Sequence, residues 1–185
     1  MALTPSNMLP LGTKAPQFNL LDVKDNAFKP LKNLKGEKGT LVMFICNHCP
    51  YVLHVNEQLV ELAKDYEKEG ISTIAISSND VEKYPEDHPD KMKLHAKKHH
   101  YTFPYLYDES QDIARAYSAA CTPDFFLFDA NLSLVYTGRL DGSRPGNDIP
   151  VTGKDLRTAM TAIVNSEPVP KDQKPSMGCN IKWKS

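Results

Sequence analysis

Apolar residues in the first half of the chain follow two different spacings. Residues 40–45 (Thr-Leu-Val-Met-Phe-Ile) and 71–76 (Ile-Ser-Thr-Ile-Ala-Ile) are β-rich runs, typical of strands that are buried on both faces. Between them, apolar side chains recur every three or four residues, at Tyr51, Val55, Leu59, Leu62 and Tyr66. This periodicity predicts a helix, and Gly70 stands where it would end. The order strand, helix, strand predicts a parallel pair of strands.

The second half of the chain continues to mix the two patterns. Helical spacing returns at residues 90–100 and 111–119, with a short extended segment at 103–107 between them. Two β-rich runs at 124–129 and 132–140 are separated by a turn and predict a hairpin. The alternation of strands and helices predicts an α/β protein.

A last helix is predicted where Leu156, Met160 and Ile163 share one face. No repeat and no linker divides the chain, so we expect one domain over residues 1–185, with a core of about residues 12–166. Residues 167–185 form a polar, proline-rich tail that ends in an apolar and aromatic stretch. Such an ending favours a docked tail over a disordered one.

Composition narrows the class of protein. The 185 residues are 41% hydrophobic and 24% charged, with a formal net charge of -1, as in ordinary globular proteins. The chain has no basic block, so we expect no nucleic-acid partner. It has no apolar stretch near the roughly 20 residues that a spanning helix needs, and its first residues do not resemble a signal peptide. We therefore expect no membrane association and a cytoplasmic protein.

Cys46, Asn47, His48 and Cys49 form a Cys-x-x-Cys motif between the first buried strand and the helix. In a reducing compartment, closely spaced cysteines are more often catalytic or metal-binding than structural. Free backbone N–H groups at a helix N-terminus lower a thiol pKa from about 8.5 into the range of roughly 3.5–7.5. We assign Cys46 as the nucleophile and Cys49 as the resolving thiol.

The motif, the helix after it and the Thr122-Pro123 dipeptide before a β-rich run together resemble the thioredoxin superfamily, and in particular its AhpC/TSA-like (redoxin) branch. The resemblance covers residues 12–166. It implies a thioredoxin-like α/β fold, with a central mixed β-sheet flanked by helices on both faces. It also implies that Pro123 is a cis-proline packed against the active-site cysteines, and that the backbone of Thr122 binds substrate.

The residues between the two cysteines, Asn47 and His48, are expected to tune the site. His48 resembles the intervening histidine of DsbA-type oxidases, which stabilises the thiolate and makes the protein less reducing than thioredoxin. Two departures from thioredoxin are Ile45, where tryptophan is common, and the absence of a buried carboxylate from residues 40–45. The general base is thus open between Glu37 and a water molecule.

Two further cysteines leave alternatives open. Cys121 directly precedes Thr122 and is either an inert buried side chain or an additional redox thiol. Cys179 lies in the apolar ending of the tail and is redox-active only if the tail places it near Cys46.

These residues predict a thiol–disulfide oxidoreductase acting on protein or small-molecule disulfides or dithiols, with an electron donor that the sequence does not identify. No nucleotide-binding motif is present, so no cofactor and no metal are expected.

Three other hypotheses stay open. A peroxiredoxin-like, antioxidant thiol peroxidase would use the cysteine at the position of Cys49, but Cys46 stands where that class has threonine. A zinc module would combine the motif with other cysteines and histidines. A partner-binding module could retain the fold without catalysis.

Overall fold

The computed structural model describes residues 3–184, which form two β-sheets and five α-helices. The strands are β1 (Leu3–Pro5), β2 (Asn19–Asp22), β3 (Ala27–Pro30), β4 (Gly39–Phe44), β5 (Ile71–Ser77), β6 (Tyr105–Tyr107), β7 (Cys121–Thr122), β8 (Asp124–Asp129), β9 (Leu134–Gly138) and β10 (Met177–Asn180). The helices are α1 (Leu31–Leu34), α2 (Pro50–Glu67), α3 (Pro89–Lys98), α4 (Asp112–Ala116) and α5 (Lys154–Val164), and a short 3-10 helix covers Pro85–Asp87.

The larger sheet has seven strands in the order β3-β2-β6-β5-β4-β8-β9. Its centre is parallel, because β4 pairs with β5 and β5 with β6 in the same direction. The hairpin of β8 and β9 extends it antiparallel to β4. This mixed sheet, with helices on both faces, confirms the thioredoxin-like α/β prediction.

Side chains of the central strands point alternately to the two faces of the sheet, and each face carries its own layer of the core. On β4, Leu41 and Met43 join the apolar cluster under α2, α3 and α5, whereas Val42 and Phe44 join the cluster under α1 and α4. Successive side chains of a strand point to opposite faces, so β4 is apolar on both sides. The resulting rigid strand delivers the Cys-x-x-Cys segment to one edge of the sheet.

The smaller sheet has three antiparallel strands in the order β1-β10-β7. Its members come from the two ends of the described chain and from the two residues that precede Pro123. This sheet therefore brings β10 of the tail to the end of the larger sheet where Cys46 and Cys49 lie.

Two local predictions differ from the structure in extent. The helix predicted over 111–119 is limited to α4, because Gln111 and Ser118 at its two ends adopt positive φ angles of 66° and 52°. The proline-rich segment before α3 contains a 3-10 turn that buries Asp87 completely. Among residues 3–184, no helix is long and apolar enough to span a membrane.

Candidate active site

Cys46 and Cys49 lie where the chain passes from β4 into α2. Helix α2 begins at Pro50, which has no N–H of its own and has a φ suited to the first helical position. Cys49 is therefore the residue that caps the helix, and Cys46 lies one turn before it. Both side chains are buried, with 1% and 0% of their surface exposed.

The thiolate of this pair is stabilised at Cys49. A hydrogen bond from the Cys46 thiol lowers the pKa of Cys49 to about 4 against the opposing effect of burial, with further contributions from Cys179, Thr122 and the Val52 N–H. The same hydrogen bond to Cys49, followed by burial, raises the pKa of Cys46 well above its usual value. The sequence predicted the lowered pKa at Cys46, but the helix begins after Cys49, and the free N–H of Val52 in its first turn contributes to the lowered pKa of Cys49. Which thiol attacks a substrate stays a prediction.

Asp87 is a buried carboxylate beside the motif that the sequence did not indicate. Its Oδ1 accepts a hydrogen bond from the backbone N–H of Asn47 at 2.8 Å, and its Oδ2 accepts one from Nδ2 of Asn79 at 2.8 Å. The imidazole Nδ1 of His48 lies 2.8 Å from Oδ2 of Asp87, as an ion pair that lacks hydrogen-bond alignment. Asp87 raises the pKa of His48, mainly through this contact.

Glu37, one of the two candidates for the general base, is not at the site. Glu37 is exposed and precedes β4, whereas Cys46 follows it. A six-residue strand at about 3.3 Å per residue separates its two ends by roughly 20 Å. The acidic group nearest the motif is instead Asp87, whose charge also raises the pKa of Cys46.

Asn47 and His48 hold the motif to its surroundings. Nδ2 of Asn47 donates to the Glu86 carbonyl at 2.8 Å, and Oδ1 of Asn47 accepts from the Tyr105 hydroxyl at 3.0 Å. The ring of His48 stacks on Tyr84 at 5.7 Å between centroids and an interplanar angle of 4°. Both side chains thus tie the Cys-x-x-Cys turn to the segment that carries Asp87.

Thr122 and Pro123 lie directly against the cysteines. The peptide bond between them is cis. Oγ1 of Thr122 is 3.6 Å from Sγ of Cys46, and the Thr122 carbonyl oxygen is 3.2 Å from Sγ of Cys49. The backbone of Thr122 is paired with β10, opposite Cys179. The substrate contact expected at Thr122 is therefore occupied by the chain itself in this structure.

Cys121 and Cys179 lie on opposite faces of the small sheet. Cys179 is opposite Thr122 in the β7–β10 pair, so its side chain shares the face of Thr122 and points toward the motif. Its Sγ is 2.9 Å from Sγ of Cys49. The side chain of Cys121 alternates to the other face, where its Sγ is 3.7 Å from the Pro123 carbonyl oxygen and burial raises its pKa.

Three side chains of the site have a geometry that a metal ion could use. One ligand atom each from Cys46, His48 and Asp87 lies within 4.8 Å of the others, the one such group found among residues 3–184. Thiolate, imidazole and carboxylate are all zinc ligands. Both oxygens of Asp87 already accept hydrogen bonds, however, so binding would have to displace them.

A profile of the AhpC/TSA family matches residues 11–137. The thiol-disulfide oxidoreductase ResA of Geobacillus kaustophilus is 26% identical over 139 residues, or 74% of this chain and 75% of that protein. A crystal structure of an uncharacterized conserved protein from Geobacillus kaustophilus is 55% identical, with a TM-score of 0.98, over 100% of this chain and 97% of the other.

The thioredoxin domain of a thiol-disulfide oxidoreductase from Bacteroides vulgatus is 18% identical, with a TM-score of 0.59, over 70% of this chain and 88% of the other. At this identity the similarity establishes the fold alone.

Proposed function

We propose that this chain, which belongs to the AhpC/TSA family of thioredoxin-fold proteins, is a thiol–disulfide oxidoreductase that uses Cys46 and Cys49 as its redox-active pair. The observation that carries the proposal is the placement of the pair: Cys46 and Cys49 lie side by side at the start of α2, with Sγ of Cys46 3.6 Å from Oγ1 of Thr122 and Sγ of Cys49 3.2 Å from the Thr122 carbonyl oxygen. The lowered pKa of Cys49, about 4, supports it. A thiolate present at neutral pH is the reactive species in disulfide exchange. Relatives named thiol-disulfide oxidoreductases support the same kind of enzyme.

In the proposed reaction, the proton in the hydrogen bond between the two thiols moves from Cys46 to Cys49. The Cys46 thiolate then attacks a substrate disulfide, forms a mixed disulfide and releases the first substrate thiolate. Cys49, after losing its proton, attacks Sγ of Cys46, which releases the second substrate thiolate and leaves a Cys46–Cys49 disulfide. Two electrons pass to the substrate, and the reverse sequence oxidises a dithiol.

The direction of the reaction depends on the reduction potential of the pair. Stabilising the thiolate stabilises the reduced form, which raises the potential. The hydrogen bond from Cys46 acts in this sense, and so does the attraction between anionic Cys49 and protonated His48. We therefore expect a potential above the about −270 mV of thioredoxin.

A cavity of about 300 Å³ beside Pro123 offers an approach for substrate. Tyr51 and His54 of α2 line one side, and Arg144 and Ser176 line another. Its three cationic side chains, Arg139, Arg144 and Lys174, outnumber its one carboxylate, Asp141, so the cavity suits a peptide or a small thiol that carries a carboxylate.

The test is a redox titration of the purified protein in glutathione buffers, with alkylation and mass spectrometry to locate disulfides. The expected result is a reversible two-electron transition that includes a Cys46–Cys49 disulfide. Absence of any disulfide at these cysteines would overturn the proposal. Resistance of Cys46 and Cys49 to alkylation until a chelator is added would instead assign the site to zinc.

A peroxidase is the second candidate, and the position of the anion favours it. Cys49 occupies the peroxidatic position of this family and is the thiol with the lowered pKa. Consumption of hydrogen peroxide by the reduced protein, lost in Cys49→Ala and retained in Cys46→Ala, would support this function. A protein that exchanges disulfides without consuming peroxide excludes it.

A further inference from the structure

Strand β10 is held unusually close to the segment that ends in Pro123. A Cβ atom on Gly178 would lie 2.0 Å from the Thr122 carbonyl oxygen, so only glycine permits this approach. The approach places the next residue, Cys179, opposite Thr122 and against the active-site pair.

Contacts on both sides of β10 fix its position. Before the strand, Oγ of Ser176 donates to the Pro123 carbonyl oxygen at 2.6 Å. After it, the backbone N–H of Lys182 donates to Oδ1 of Asn79 at 2.9 Å. Asn79 also donates to Asp87, so the tail and the His48 ion pair share one hydrogen-bond network.

The result is a group of three neighbouring thiols in which Cys49 lies between Cys46 and Cys179. Sγ of Cys49 is 2.9 Å from Sγ of Cys179, and Cys46 is its neighbour within the Cys-x-x-Cys motif. A disulfide needs an S–S distance of about 2.05 Å, so a small movement of side chains would join Cys49 to Cys179. Cys49 can thus bond to either neighbour.

We propose that Cys179 is a third redox-active thiol that exchanges with the Cys46–Cys49 disulfide and forms a Cys49–Cys179 disulfide. The inference rests on the proposed function, because that reaction supplies the first disulfide. Cys179, as a thiolate, attacks Sγ of Cys49; the Cys49–Cys179 bond forms, the Cys46–Cys49 bond breaks and Cys46 leaves as a thiolate. The proton lost by Cys179 is taken up by Cys46, and the exchange needs no external oxidant.

Oxidation of the pair makes Cys179 a better nucleophile. In the reduced protein, burial raises the pKa of Cys179 to about 12, and the hydrogen bond to anionic Cys49 and its charge add to this effect. Once Cys49 is in a disulfide it carries no charge, and both of these contributions disappear. Cys179 is therefore a thiol while the pair is reduced and becomes easier to ionise when exchange is required.

After the exchange the two cysteines of the motif are in different states. Cys49 is in a disulfide with Cys179 of β10, and Cys46 is again a free thiol, beside His48 and Asp87, that can react with a second substrate. Cys121 has no part in this scheme because it lies on the other face of β7.

The decisive experiment is the glutathione titration of Cys46→Ala, which cannot form the Cys46–Cys49 disulfide. We expect it to retain a reversible two-electron transition, with a Cys49–Cys179 disulfide identified by mass spectrometry. Cys46→Ala/Cys179→Ala should lose that transition and carry glutathione on Cys49, whereas the matched control Cys46→Ala/Cys121→Ala should retain it. A Cys46→Ala protein that only becomes glutathionylated at Cys49 would overturn the inference.

Wild-type protein answers the same question if Cys46→Ala does not fold. After partial oxidation and alkylation, a peptide pair joining Cys49 to Cys179 supports the inference, and a protein whose only disulfide is Cys46–Cys49 contradicts it. That second result leaves the proposed function intact, whereas absence of both disulfides contradicts the proposed function itself.

Discussion

The two sheets of this protein are built in different ways and meet at the cysteines. The large sheet is assembled from strands with strong apolar patterns, and its buried strand β4 delivers Cys46 and Cys49 to the start of α2. The small sheet has only short strands, drawn from three distant parts of the chain, yet it supplies Thr122 and Cys179. The large sheet thus provides the proposed redox pair, and the small sheet provides groups that contact it.

The largest effect should come from removing a thiol that the large sheet delivers. We expect Cys46→Ala to lower the rate of insulin-disulfide reduction by on the order of a thousand-fold or more, as for other catalytic nucleophiles. Cys49→Ala, which removes the resolving thiol, should also block turnover, after the first attack. Cys121→Ala, which removes a buried thiol from the other face of β7, should retain activity in the same insulin-reduction assay.

The same variants test the roles of the two thiols. If Cys46 attacks first, Cys49→Ala should accumulate a mixed disulfide with substrate at Cys46. A Cys49→Ala protein that forms no adduct at Cys46 would contradict this role.

The next largest effect concerns the anion itself. Ultraviolet titration of the reduced protein should show thiolate formation at Cys49 with a midpoint near the pKa of about 4. Removing the donor thiol in Cys46→Ala should raise this midpoint by about 1–2 units, since a hydrogen bond to a charged group contributes roughly 1.5–3 kcal/mol. Cys179→Ala should raise it less, and Cys121→Ala should leave it unchanged. An equal midpoint in all variants would refute the three-thiol arrangement.

A smaller effect, on the free energy of unfolding, should follow from a substitution that forces β10 away from Thr122. In Gly178→Ala the new methyl group meets the Thr122 carbonyl oxygen, and overpacking of this kind costs about 1–3 kcal/mol of unfolding free energy. The control is Gly142→Ala, whose Cβ would meet its nearest neighbour at 3.8 Å. Urea unfolding measures both, and equal stability of the two variants would contradict the close approach of β10.

The smallest effect lies in the ion pair that links the motif to Asp87. Because the folded-state pKa of His48 is raised, its contribution to stability is complete below the unfolded value of about 6.5 and is lost as pH rises through the folded value. For a partly exposed pair we expect no more than about 1 kcal/mol. Urea unfolding of His48→Gln, Asp87→Asn and the double variant should give a coupling energy at pH 6 that vanishes at alkaline pH. A coupling independent of pH would rule out protonated His48 as its source.

Prediction from sequence succeeded where the chain repeats a period. The apolar runs of β4 and β5 and the three-to-four spacing of α2 are local signals, and the thioredoxin-like fold followed from them and from the motif. The predicted ends of helices were less accurate, as at α4. The positive φ angle of Ser118 ends that helix but does not change the spacing of apolar residues, so the sequence pattern does not reveal it.

The surroundings of the motif could not be obtained in this way. Asp87 follows Asn47 by 40 residues, in a proline-rich loop with no apolar pattern, and only the fold brings the two together. The sequence left the general base open between Glu37 and a water molecule, and β4 separates Glu37 from the motif. The sequence also could not show which of the two thiols has the lowered pKa, since this depends on α2 beginning after Cys49.

The contact between Cys49 and Cys179 spans 130 residues, and this separation has a consequence for synthesis of the protein. A ribosome makes Cys46 and Cys49 long before it makes β10, so in the nascent chain the two thiols are not yet packed against β10. During this interval they are accessible to oxidants and to chaperones. The intramolecular partner Cys179 arrives late, so the newly made protein and the finished one should differ in their reactivity toward the same thiol reagent.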